Sequence, residues 1–162
     1  YVNEKKHFEN LNIFLKKKSV LFKKKVVIAI HPRDSISFKK QVFRNFKVVK
    51  YKTKEFINKA YLVIFFESSA IINAILLKKK IITITSNFLS KNMYRGSMLY
   101  KNKVGILHMN IEEETKLSKK KLLINLEKSK KKYAKYINTN IRPDKNNLGY
   151  KKIIYIIRKN FF

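Results

Sequence analysis

Apolar residues along this chain follow two alternating rhythms. In "NEKKHFENLNIFLKKKS", Phe8, Leu11, Phe14 and Leu15 recur at helical spacing among polar residues, which predicts an amphipathic helix over 5–18. "VVIAI" at 26–30 is instead unbroken and β-branched, and it stops just before Pro32, which cannot join a ladder. That pattern reads as a short buried strand. Further short strands are read at 47–50, 61–66, 81–85 and 104–107, the last within "KVGILHM", which alternates high and low. Helical stretches fall between these strands: 53–60 with Thr53 as cap, "ESSAIINAILLKK" at 67–79, and 87–102. A long helix is predicted over 110–140, acidic at Glu112, Glu113 and Glu114 and lysine-rich at its end, as the helix dipole favours. Residues 35–46 read as weakly helical or loop, and 149–162 as a last helix-like tail.

Strands that alternate with helices, and are apolar throughout, belong in a parallel sheet covered on both faces. The expected fold is therefore α/β: a Rossmann-like, doubly wound parallel sheet forming one domain over 1–162. A leading helix occupies 1–20 and carboxyl-terminal helices occupy 112–162. Such sheets take ligands at the carboxyl ends of their strands, near the point where strand order reverses. Three polar clusters fall at those ends: His31-Pro32-Arg33, Glu67-Ser68-Ser69, and Thr85-Ser86-Asn87. Ser68 and Ser69 stand at a predicted helix start, where hydroxyls either cap the helix or meet an anion. The imidazole of His31 and the guanidinium of Arg33 on the neighbouring loop favour the anion, with Pro32 stiffening that loop. No glycine-rich phosphate loop is present, which disfavours ordinary dinucleotide and nucleoside triphosphate binding.

Composition changes this picture less than its net charge of +29 implies. The basic residues are nearly all lysine, scattered in short runs at 16–18, 23–25, 78–80, 119–121 and 130–132. Arginine, the usual choice for bidentate phosphate and base contacts, is scarce. Lys, Asn, Ile, Phe and Tyr dominate together, and these share A/T-rich codons. A solvated lysine surface accounts for the charge better than a nucleic-acid groove does, although it can also dock on anionic lipid. There is no cysteine, hence no disulfide framework or Cys-based zinc site. Consecutive glutamates at 112–114 point to different sides of a helix start, so no metal is expected there. His7 reads as a surface residue, and His108, at a strand end, as a group able to border a bound base. No apolar run approaches the roughly 18 residues of a membrane span. The expected location is cytoplasmic, with peripheral contact on the inner membrane face.

"NLNIFLKK", "VVIAIHPRDS", "FFESSAIINAILLKKKIITITSNFL" and "YKNKVGI", in this order, resemble the carboxyl-terminal half of bacterial surface-polysaccharide (capsule and lipopolysaccharide) glycosyltransferases of the GT-B type. The His-Pro pair and the Ser-Ser pair are similar to the two nucleotide-binding motifs of sialyl- and polysialyltransferases. The resemblance spans roughly residues 8 to 115. It implies a nucleotide-sugar donor, CMP-linked, with a glycan acceptor and neither metal nor other cofactor. It implies that His31 contacts the donor phosphate and protonates it as it leaves, while Ser68 and Ser69 hold the same phosphate. Pro32, Arg33, Glu67, Thr85 and Ser86 would border the donor, Glu67 nearer the ribose. In such enzymes the general base and acceptor site lie in an amino-terminal domain. That domain is absent from a chain that opens on Tyr1, so these residues read as a fragment, inactive if it stands alone. The segments 5–18 or 150–162 should then carry apolar side chains that meet the other half. Two other classes stay open. A sugar-nucleotide epimerase of the same architecture needs acid and base carboxylates that the sequence does not offer. A lysine-rich nucleic-acid-binding protein needs exposed aromatics.

Overall fold

Asn3 starts the first helix by accepting the Lys6 N–H on its side-chain oxygen at 3.0 Å. That helix, α1 (Glu4–Phe22), buries Phe8, Leu11, Phe14, Leu15 and Phe22, the stripe that helical spacing predicts. It stops in a Schellman turn: Lys24 N–H bonds to the Ser19 carbonyl and Lys23 N–H to that of Val20, with Lys23 left-handed at φ 51. The computed structural model describes residues 3–66, 68–113 and 118–141. After α1 come β1 (Val27–Ile30), α2 (Ile36–Val42), β2 (Lys47–Lys50), α3 (Thr53–Lys59), β3 (Leu62–Phe65), α4 (Ile71–Leu76) and β4 (Lys80–Thr85). Then follow α5 (Lys91–Val104), β5 (Leu107–Asn110), α6 (Lys119–Lys131), α7 (Tyr133–Tyr136) and a π-helical turn over Ile137–Ile141.

All strand pairs are parallel, but they form two sheets: β1 with β2, and β3-β4-β5 with β4 central. The single five-stranded layer expected from the sequence is divided into two sheets. Apolar patterning reports burial, and here burial is met by packing alone. Ile28 and Val48 of the first sheet, with Val26 just before it, lie against the same cluster as Leu62 and Ile64 of the second. Hydrogen-bond adjacency leaves no separate mark in such a pattern.

The two sheets run in the same direction, as α1 reveals. Its last residue, Phe22, sits with its ring 5.9 Å from Tyr61, immediately before β3, and the chain then enters β1. Its first turn puts His7 5.4 Å from Phe66, immediately after β3. Asn12 of α1 donates to the Val42 carbonyl of α2, and Phe8 stacks edge-on against Phe43 at 5.6 Å. The helix leaving the carboxyl end of β1 therefore lies beside the α1 half that covers the carboxyl end of β3. The crossover helix α3, which joins β2 to β3, packs on β1, the strand it must cross if β1 lies between them.

The core has two compartments. Phe14, Leu15, Ile82, Ile84, Leu122 and Leu126 fill the side of α1 and α6; Ile57, Ala74, Ile75, Ile81, Ile106 and Tyr133 fill the side of α3, α4, α5 and α7. β4 is buried from Ile81 to Thr85, apolar Ile81, Ile82 and Ile84 with Thr83 and Thr85 between them.

Several expectations need correction. The last strand lies at 107–110, not 104–107, because Gly105 takes a left-handed φ of 72 and closes α5 with its N–H on the Lys101 carbonyl. The leading helix reaches Phe22, and 35–46 contains a capped helix, with Ser35 accepting the Phe38 N–H. Thr53 is the first helical residue of α3, not its cap. His7 is not on the surface; it is 1% exposed, with its ring between Phe8 and Phe66. The helix expected from residue 110 begins only after its cap Ser118, and its first turn is lysine, not glutamate. On α1, Ile13 and Val20 are exposed apolar side chains; 150–162 lie outside the described residues. Among the described residues no helix is long and apolar enough to cross a membrane.

Candidate functional site

The parallel register brings four strand ends to one edge. His31 follows β1, Ser68 and Ser69 follow β3, Ser86 and Asn87 follow β4, and Glu112 follows β5. What these groups can do differs from one to the next.

His31-Pro32-Arg33-Asp34 is a tight turn with the Asp34 N–H on the His31 carbonyl at 3.0 Å. Proline suits its second position, where φ near −65° is required. Asp34 closes the turn from the other side, accepting the His31 N–H on its carboxylate at 3.3 Å. The Arg33 N–H donates to His31 Nδ1 at 3.1 Å. An accepting Nδ1 carries no proton, so the neutral ring has its N–H at Nε2. The exposed imidazole thus offers one hydrogen-bond donor outward. To hand over a proton the ring must first be protonated at Nδ1, and the Arg33 bond must break.

Ser68 and Ser69 are both exposed. Ser68 Oγ accepts the Ala70 N–H at 3.2 Å, and the carbonyls of Ser68 and Ser69 accept the N–H groups of Ile71 and Ile72. The first N–H groups of α4 are therefore already used. With six residues that helix has little dipole, so the anion site expected from a helix start is not built. The two hydroxyls are what remains. Glu67 lies outside the described residues. Among those described, no hydrogen bond links the His31 turn to Ser68 or Ser69 across the gap between β1 and β3.

Thr85 and Ser86 face inward, 1% and 3% exposed. Thr85 Oγ1 lies 3.0 Å from His108 Nε2, and Thr83 Oγ1 lies 3.2 Å from Nδ1 of the same ring. Burial depresses the pKa of His108, with help from the Lys101 charge, and a neutral ring between two hydroxyls fits that direction. His108 is held within the sheet and does not border the edge.

Ser86 donates to Glu112 Oε1 at 2.6 Å, and Asn10 of α1 donates to the same oxygen at 3.0 Å. The Asn87 N–H takes Oε2 at 2.9 Å. Asn110 joins them, accepting the Glu112 N–H and donating to the Asn87 side chain. Burial would raise the Glu112 pKa, but these donors, Ser86 first, outweigh it and hold the carboxyl below the usual range. Glu112 thus ties the ends of β4 and β5 to α1. The sequence reading assigned this glutamate to a helix dipole and missed Asn10 altogether; partners this far apart share no local pattern.

A groove of about 880 Å³ lies between α1 and α2, lined in part by Phe8, Phe38 and Val42 with Glu4 and Glu9 at its rim. None of the strand-end residues lines it, and Lys5 and Arg44 balance its two carboxylates. Among the described residues no three His, Asp or Glu side chains come together to hold a metal ion. Among the described residues the exposed aromatics are Phe38, Tyr51, Tyr61 and Tyr94. No family model, curated protein or solved structure matches the chain.

Proposed function

We propose that the edge where β1 and β3 meet binds a nucleotide-sugar donor, and that the chain is the Rossmann-like donor half of a GT-B-type surface-polysaccharide glycosyltransferase. One observation carries this reading. The parallel pairs β1-β2 and β3-β4-β5 pack on one core with α3 against β1, as an order that turns between β1 and β3 requires, and the loops leaving those two strands carry His31 on one side and Ser68 with Ser69 on the other. In open parallel sheets the crevice at such a reversal is where ligands bind.

In this role His31 Nε2–H donates to a phosphate oxygen of the donor, and the exposed hydroxyls of Ser68 and Ser69 approach the same group from β3. When the sugar leaves, negative charge grows on that phosphate. Donors already aimed at it stabilise the transition state more than the ground state. With Nδ1 held by Arg33, His31 acts first as a fixed donor. Proton delivery belongs to a state in which Nδ1 is protonated and the turn has loosened. Arg33 fixes the ring through its backbone, and Pro32 fixes the turn. Thr85, Ser86 and Glu112 set the floor without touching the donor. The acceptor, and the base that activates it, belong to another domain.

Calorimetric titration with cytidine 5′-monophosphate tests the reading. Saturable binding is expected, weakened about ten- to a hundredfold by His31→Ala, the range for one hydrogen bond to a charged group. The exposed control Lys16→Ala should leave it unchanged. Equal affinities in the two variants would overturn the assignment.

A further inference from the structure

Three non-glycine residues among those described have a left-handed backbone: Lys23, Lys78 and Tyr51, the last at φ 64. Two are accounted for. Lys23 closes α1 in its Schellman turn, and Lys78 does the same for α4, with Lys79 N–H on the Ala74 carbonyl and Lys78 N–H on that of Ile75. Tyr51 closes no helix. It is the first residue past β2, and left-handed backbone is unfavourable for a bulky side chain outside glycine or asparagine. Nor is it held there by burial, for it is 75% exposed. Lys50 Nζ lies 5.2 Å from its ring centroid.

The position of this strained, exposed ring is what gives it meaning. Ile30 pairs with Lys50 in the parallel ladder, so His31 and Tyr51 are the next residues on adjacent strands. Neighbouring strands lie about 5 Å apart. Along this edge Tyr51 stands beside His31, and in the strand order proposed above Ser68 and Ser69 lie beyond His31. An aromatic face stands at one end and phosphate-binding donors in the middle. A nucleotide has the same layout, with a flat base at one end and a phosphate at the other.

Resting on the nucleotide-site reading above, we infer that Tyr51 is the platform on which the base of the bound nucleotide stacks. Its ring contributes affinity through its π-face, and the left-handed backbone turns that ring outward at the edge where a right-handed residue would carry the chain on. Stacking needs the ring and not the hydroxyl, so phenylalanine should serve as well.

The test compares two probes on the same chain: cytidine 5′-monophosphate, and ribose 5-phosphate, which has no base. Wild type should bind the nucleotide more tightly. Tyr51→Ala should weaken the nucleotide about 5- to 150-fold, as loss of a base–aromatic stack does, and leave ribose 5-phosphate unchanged. Tyr51→Phe should keep the wild-type ratio. Tyr51→Gly should lose the ratio yet melt at an equal or higher temperature, because glycine accepts the left-handed turn. If wild type binds both probes and Tyr51→Ala or Tyr51→Gly keeps the preference for the nucleotide, this inference fails while the phosphate site stands. A Tyr51→Gly variant that melts lower would make Tyr51 a structural residue and overturn it too. If wild type binds neither probe, the nucleotide-site reading fails and takes this inference with it.

Discussion

Ser86 and Glu112 stand 26 positions apart in sequence and meet at 2.6 Å, the hydroxyl of one donating to the carboxylate of the other. The bond joins the ends of β4 and β5, and Asn10 brings α1 to the same oxygen. Asn10, Ser86 and Asn87 thus meet on one carboxylate, while Thr83 and Thr85 hold His108 separately.

Glu112→Gln should cost about 1 to 3 kcal/mol at neutral pH, the usual loss when bonds to a charged group are weakened. The pH dependence has a definite sign. The Glu112 pKa is lowered in the folded state, so its stabilisation is complete above the unfolded glutamate range and is lost as pH falls through the folded value. Denaturant melts at pH 7 and pH 3 should therefore differ more for wild type than for the glutamine variant. Equal pH dependence in both would remove Glu112 from this role.

Tyr133 offers an unusual check on the second core compartment. Its ring is fully buried, yet its hydroxyl finds no hydrogen-bond partner among the described residues. Burial raises the phenol pKa, so the group stays neutral. An unmet buried hydroxyl is a cost, and its removal should be free or favourable. Tyr133→Phe is expected to unfold at the same or a higher denaturant concentration, by up to about 1 kcal/mol. Tyr133→Ala should lose about 3 to 5 kcal/mol through the cavity it leaves. A clear loss on Tyr133→Phe would mean that the hydroxyl has a partner.

The interrupted layer should show in hydrogen exchange. A two-stranded sheet is weak by itself, whereas β4 is buried and paired on both sides. Amides of Ile82 and Ile84 should exchange last, and those of β1 and β2 measurably sooner. Uniform protection across all strands would indicate one continuous sheet.

Much of this fold is legible in the sequence where burial alone decides it. Phe8, Leu11, Phe14 and Leu15 announce α1, and the unbroken runs at 27–30 and 62–65 announce strands, because side-chain spacing reports which faces leave water. The edge positions of His31, Ser68 and Ser69 follow from those strands. Other features have no local signature. Glu112 resembles the start of the lysine-rich helix that follows, but Ser118, which accepts the Lys121 N–H, begins that helix instead. His7 looks polar and exposed until Phe66 arrives from β3. Left-handed turns are usually marked by glycine, as at Gly105, but among the described residues three more fall on Lys23, Tyr51 and Lys78, which nothing in the sequence flags.

The central claim is that one edge, at the gap between β1 and β3, receives a nucleotide phosphate. Backbone amide shifts followed during titration with cytidine 5′-monophosphate test this most directly. The account predicts saturable shifts at His31, Arg33, Tyr51, Ser68 and Ser69, and none at Lys24, Tyr61 or Lys79 before the opposite strand ends. Shifts confined to the α1–α2 groove at Phe8, Phe38 and Val42, or to the opposite edge, would contradict it.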